Sequence, residues 1–144
     1  MHNRHSSRFA ALLILCSAGY GQALAASPAD IRTNLEMTAR AATPGFAGFS
    51  SARGEQFFKS THGRDWSCAT CHGAKPVTEG RHIVTGKTIA PLAPAADNKR
   101  FTDPAKTAKW FKRNCNDVLG RECTAAEKGD VLEYLLALGK GVNS

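Results

Sequence analysis

Methionine is scarce in this chain: Met1 and Met37 are its only two. Long apolar runs are missing too. The apolar block near the start, residues 9–18 (FAALLILCSA), is far shorter than the ~20 residues that a membrane-crossing helix needs. No segment repeats itself, which sets aside solenoids and propellers. Alternating apolar and polar stretches are few, so strands are not expected to build the core. Lys and Arg are scattered rather than massed, which argues against a nucleic-acid partner.

What is present begins with a three-part leader. Residues 1–8 (MHNRHSSR) are polar and carry Arg4 and Arg8, residues 9–18 are apolar, and Ala23-Leu24-Ala25 is a small-x-small cleavage signal. The layout reads as a secretory signal peptide over 1–25, cut near Ala25 or Ala26, with an uncut anchor as the alternative. Cys16 falls in the discarded part, because Leu15 before it is too large for a lipoprotein site. The expected location is therefore the periplasm, with no membrane span in the mature chain. Cutting removes two Arg and no acid from a formal net charge of +7, so the remainder stays basic. A basic surface suits an acidic protein or a redox partner. About 118 residues remain, read as an N-terminal helix and linker over 26–52 and a cofactor domain over 53–144.

Four cysteines survive the cut. Cys68-Ala69-Thr70-Cys71-His72 is a C-x-x-C-H run, the spacing of covalently attached c-type haem. In that chemistry both thiols bond to the haem vinyl groups and His72 ligates the iron as neutral imidazole. Zinc is the competing reading, and would need Cys115 and Cys123 as further ligands. Two free thiols are unexpected in an oxidising compartment, so a Cys115–Cys123 disulfide is the simpler reading of that pair.

Four helices and one helical turn can be placed. "SPADIRTNLEMTARAA" opens with Ser27 as N-cap and Pro28 at the first position. Residues 43–50 (TPGFAGFS) break the chain, and "SSARGEQFFKST" starts again with Ser50 or Ser51 as cap. The C-x-x-C-H run is one turn. Residues 73–101 should be irregular; the prolines of "TGKTIAPLAP" favour extended loop, and so long a loop in a small domain wraps something. Asp103, Pro104 and Gly120 bound a third full helix, and Thr124 with Glu127 forms a capping box for the fourth. Val131, Leu132, Leu135 and Leu138 make that helix's core stripe. The plan is all-α around one cofactor. So short a chain buries little surface by itself, so the protein without haem should fold poorly.

One face of the iron remains to be assigned. Electron-carrying cytochromes c often use Met there, but Met1 leaves with the leader and Met37 lies before the haem motif, where packing is its expected role. His62, His82 and Lys87 are alternatives, and so is a site that is open or weakly filled. Trp110 and Asn114, at i and i+4, share one helix face, while Asn116 points away. On spacing alone Asn114 reads as an ordinary polar helix residue. The second nitrogen of His72 needs an acceptor, expected near Pro76 or Pro91. A peroxidase or a nitric oxide oxidase would need a distal acid–base or polarising group, for which only His82 and Arg113 stand out.

The stretches "TGKTIAPLAP", "RFTDPAK", "KWFKRNCNDVLGREC" and "EKGDVLEYLLAL", in order after C-x-x-C-H, resemble the SHP-type cytochromes c (sphaeroides haem protein). The resemblance runs from about Arg53 to Leu138 and weakens around 59–66 and before Arg53. It implies a small class I cytochrome c fold wrapped around one covalent haem c. Gly54, Phe58 and Tyr134 would then form the helix crossing of that class. It further implies His72 as proximal ligand, Asn114 as an unusual distal ligand, and a Cys115–Cys123 disulfide. In such proteins the Asn leaves the iron on reduction, and diatomic gases (oxygen, nitric oxide, carbon monoxide) then bind. The implied redox partners are other c-type or b-type cytochromes. Trp110 would line the gas pocket.

Overall fold

Caps written into the sequence set the helix boundaries of the structure, a computed structural model that describes residues 25–139. The expected leader, apart from Ala25, lies outside those residues. Helix α1 (Pro28–Ala42) starts on a Ser27/Asp30 capping box, and α2 (Ser51–Lys59) on Ser50, whose hydroxyl accepts the Arg53 N–H. The motif turn α3 (Cys68–His72) starts on a Ser67/Thr70 box. Helix α4 (Pro104–Leu119) runs from the Asp103 cap to Gly120, whose φ of +74° is the left-handed stop that glycine takes most easily. Helix α5 (Ala125–Ala137) opens on Thr124 and Glu127.

Helices α2 and α5 cross at the centre. The crossing requires glycine at 54, since a Cβ there would overlap the Asp130 carbonyl and touch Tyr134 Cβ. Phe58 packs on Tyr134 with ring centroids 5.6 Å apart, and both join Val131 and Leu135 in the buried core. Asp130 is buried beside the crossing. Its carboxylate accepts from Ser50 N (2.7 Å) and from Arg53 Nε and Nη2 (2.8 Å each), so the charge is fully engaged. Tyr134 donates its hydroxyl to the Ala74 carbonyl and ties α5 to the chain after the motif. Helix α1 lies on the far side of α5, joined by Arg32 Nε to Glu133 at 2.6 Å. Met37, expected to pack, is instead 59 % exposed on α1. Ala39, two residues on, takes the buried position.

The stretch 73–101 is less irregular than its prolines suggest. It contains a two-stranded antiparallel ladder, β1 (Gly80–Arg81) with β2 (Thr88–Ile89), in register Gly80↔Ile89 and Arg81↔Thr88. Two residues per strand are too few for an alternation signal. The tip is closed by local bonds: His82 N–H to the Lys87 carbonyl, Gly86 N–H to the His82 carbonyl (both 2.8 Å), and Val84 and Thr85 N–H to His82 Nδ1 (3.2 and 3.3 Å).

Helix α4 has no extensive packing against another helix. It faces the others across a cavity. Its C-terminal end is bonded through Cys115 to Cys123, with Cα atoms 5.6 Å apart, and Phe111 meets Phe101 at 6.3 Å nearer its start. Among the described residues no helix is long and apolar enough to cross a membrane.

Candidate functional site

The cavity between α4 and the remaining helices measures about 540 Å³. Helix α3 brings the motif to it. The Ser67/Thr70 box fixes the first turn, with Ser67 N–H to Thr70 Oγ1 at 3.0 Å and Thr70 N–H to Ser67 Oγ at 3.2 Å. Gly73, at φ +76°, ends the turn immediately after His72. Cys68, Cys71 and His72 then all line the cavity. Burial pushes the Cys68 thiol up to about 11, and the Cys71 charge adds to that. Burial first, and the Arg100 charge second, push His72 down to about 4, so its imidazole is neutral, the form that binds metal. Phe58 stands beside the imidazole at 6.3 Å between ring centroids, so the α2–α5 crossing supports the proximal wall.

The donors fit a covalent haem. Two partly buried, unpaired thiols and a neutral imidazole open into one space whose other walls include Phe58, Leu92, Phe101, Val131 and Leu135. They do not fit zinc. Cys115 and Cys123 are joined to each other, and no group of three or more His, Cys, Asp or Glu among the described residues is placed to hold a metal ion. Of the acceptors expected for the second nitrogen of His72, the Pro76 carbonyl already takes two bonds and the Pro91 carbonyl one, which leaves the latter a free lone pair. The Pro76 carbonyl receives the Leu92 and Ala93 N–H groups (3.0 Å each), and the Pro91 carbonyl receives Arg100 Nε (2.7 Å).

Across from the motif, Asn114 and Trp110 line the same cavity, as their i, i+4 spacing on α4 requires. Asn116 faces outward, its Nδ2 donating to the Lys112 carbonyl at 2.7 Å. His82 also lines the cavity, but its Nδ1 accepts two backbone N–H groups, and a backbone N–H only donates. The neutral ring therefore carries its proton on Nε2, with no lone pair there for a metal. His62 stands outside the cavity, its Nε2 donating to the Phe57 carbonyl at 2.8 Å beside the end of α2. Lys87 and Met37 do not reach the cavity, whereas Arg113 does.

Sequence reasoning passed over Arg100 and Phe101. Arg100 lines the cavity while holding the loop through the Ala90 and Pro91 carbonyls (2.7 Å each), and Phe101 turns into it from a backbone at φ +57°. Their one signal is position, directly before the Thr102-Asp103-Pro104 helix start.

Comparisons with known proteins bear on the family and the fold. Residues 44–135 match a family model described only as a domain of unknown function (DUF1924). The cytochrome c-type protein SHP of Cereibacter sphaeroides is 46% identical over 131 residues, which covers 87% of this chain and 96% of that protein. The structure of oxidised SHP, titled an oxygen-binding cytochrome c, superposes with a TM-score of 0.69 at 45% identity, over 78% of this chain and 97% of that one. The solution structure of cytochrome c'' from Methylophilus methylotrophus, titled for insight into haem-ligand detachment, gives a TM-score of 0.66 at 38% identity, over 76% and 91% of the two chains.

Proposed function

The chain belongs to the SHP-type cytochromes c, with their class I cytochrome c fold, and on that premise we propose that it is an exported electron carrier whose distal ligand, Asn114, yields to a diatomic gas on reduction. The observation that carries this reading is that Asn114 and His72 line one cavity from opposite elements, α4 and α3. Cys68 and Cys71 would hold one haem c covalently, and His72 would be its proximal ligand. When bound, the haem supplies a one-electron couple and, once reduced, a coordination position open to a small gas.

The protein's own groups account for the rest. A carboxamide oxygen is a neutral, hard, weak donor that suits ferric iron better than ferrous iron. Asn114 would therefore suit the oxidised state of such a haem better than the reduced one. Its NH2 would be a hydrogen-bond donor within the pocket, which Trp110 also lines. The bridge from Cys115 to Cys123 holds the residue next to Asn114 and so would keep that side chain at the cavity. The tautomer of His82 speaks against a fixed second histidine. The leader-like residues 1–25 support export, and the homologues' nature as cytochromes supports c-type or b-type cytochromes as redox partners.

Two measurements test the reading. Reduced protein titrated with carbon monoxide should show a rapid, complete spectral change; a slow or partial one points to a fixed sixth ligand. Asn114→Ala should alter the ferric spin state or place water on the iron. An unchanged ferric visible and resonance Raman spectrum removes Asn114 from the iron.

A further inference from the structure

The tip of the β1–β2 hairpin is closed by an unusual side chain for a turn. His82 Nδ1 accepts the N–H groups of Val84 and Thr85, two and three residues on, at 3.2 and 3.3 Å. Asn, Asp, Ser or Thr oxygens ordinarily close turns in this way. The same tip carries Ile83 and Val84, exposed apolar residues that line the cavity. Ile83 N–H donates to Cys71 Sγ at 3.4 Å, so the tip lies over the second sulfur of the motif. The base of the hairpin is fixed, because a Cβ on Gly80 would overlap the Cys71 carbonyl. The tip is held less firmly. Among the described residues its other hydrogen bonds are internal, from His82 N–H to Lys87, from Gly86 N–H to His82 and from Arg81 Nη1 to Gly86 (3.0 Å).

We propose that this tip is an acid-sensitive flap, latched over the Cys71 side of the cavity while His82 is neutral and released when its imidazole takes a second proton. Neutral imidazole has one acceptor nitrogen and imidazolium has none. Protonation therefore removes both bonds at once and sets an N–H against two others. A turn closed by Asn or Ser would not respond, whereas an imidazole changes charge in mildly acidic water. The surrounding charges act in the same direction. On the hairpin, Arg81 and Lys87 stand near His82, with Glu79 as the acid before them. Helix α3 presents Cys71 and His72, whose imidazole is neutral, and Arg100, Lys106 and Arg113 line the same cavity with Asp117. Cations outnumber acids, so an imidazolium in the latched position meets net repulsion. Haem carboxylates would ease the protonation, but they cannot restore the lone pair on Nδ1. The released tip withdraws Ile83 and Val84 from the cavity mouth and opens Cys71 to water. The inference stands on the hairpin's own bonds and does not rest on the iron ligand proposed above.

The test is NMR exchange of backbone amides with water, on reduced holo-protein under carbon monoxide. The iron is then diamagnetic whether the gas or a second histidine fills the sixth position. Each rate, divided into the intrinsic rate at that pH, gives a protection factor. Between about pH 8 and about pH 5 the wild type should lose at least about tenfold protection at Val84 and Thr85, in step with the titration of the His82 ring protons. His82→Asn, whose oxygen can accept the same N–H groups and takes no proton in this range, should lose less than about twofold. His82→Ala should be unprotected at both pH values. A smaller wild-type loss, or a midpoint away from that of the His82 ring, would overturn the inference, as would an equal loss in His82→Asn. Equal losses at the amides of α2 and α5 would reduce the effect to general acid loosening and refute it. A visible spectrum that changes with the tip, and stays constant in His82→Asn, would put His82 on the iron and refute it too. Asn114→Ala reports through the ferric spectrum, so failure of that ligand assignment leaves the amide result standing.

Discussion

Replacing both Cys115 and Cys123 by alanine should loosen α4 before it loosens anything else. The bridge joins residues eight apart. On the chain-entropy account, opening a loop of that size costs about 2.5 kcal/mol at 25 °C. Both sulfurs are buried and line the cavity, so the space they leave adds about 1–2 kcal/mol. A total of about 3.5–4.5 kcal/mol corresponds to a fall in Tm of roughly 14–30 °C for a domain of this size. The location of the loss matters more than its sum. Helix α4 has no extensive helix packing to fall back on, whereas α2 and α5 keep their crossing through Gly54, Phe58 and Tyr134. Far-UV circular dichroism melts of the ferric holo-protein give the size of the effect. Native-state hydrogen exchange gives its place, with α4 amides exchanging faster while those of α2 and α5 stay protected. Asn114, next to the lost bridge, should then hold the iron less firmly, and the ferric spectrum should shift towards the Asn114→Ala form. A Tm loss under about 3 °C with unchanged α4 exchange would refute the view that the bridge is the main tether of this helix.

Two other perturbations follow from the packing and the charges. Gly54→Ala puts a Cβ into the Asp130 carbonyl, and the forced separation of α2 from α5 should cost about 1–3 kcal/mol despite alanine's better helix propensity, as measured by urea unfolding. Glu127 is held below the ordinary glutamate range, first by its bond from Arg121 (2.7 Å) and also by the Thr124 N–H, with burial opposing. Its folded value lies below its unfolded one, so its contribution is present above the ordinary carboxylate range and lost as pH falls through the folded value. Glu127→Gln should therefore flatten the fall of the urea midpoint between about pH 5 and pH 3.

The helices were legible because their ends are written in local chemistry. Ser27, Ser50, Asp103 and Thr124 each cap as their positions indicate, and Pro28 and Pro104 stand where their missing N–H is harmless. The β1–β2 ladder was not legible, because its determinants are His82 acting as an acceptor and single backbone bonds, neither of which has a periodic signature. Met37 misled because a long apolar side chain in an amphipathic helix reads as core, while the buried position two residues on holds alanine. At the site, spacing alone pointed to Cys68, Cys71 and His72, and the structure brings all three to one cavity. Asn114 could not be read that way. As a polar residue on a helix it looks like any solvent-facing amide, and only the family resemblance singles it out. Arg100 escaped notice because its role is to hold loop carbonyls that lie ten residues earlier in the chain.

The cavity wall also poses a sorting problem for thiol chemistry. Cys68, Cys71, Cys115 and Cys123 all border the same space. Four thiols allow three complete pairings, and each of them consumes the two sulfurs the haem requires. The useful state is a fourth one, with a single bridge and two thiols kept reduced. If Cys68 and Cys71 hold haem covalently, as proposed, maturation of this chain becomes a matter of timing as well as of folding: the C-terminal pair would have to be oxidised while the motif pair stays reduced.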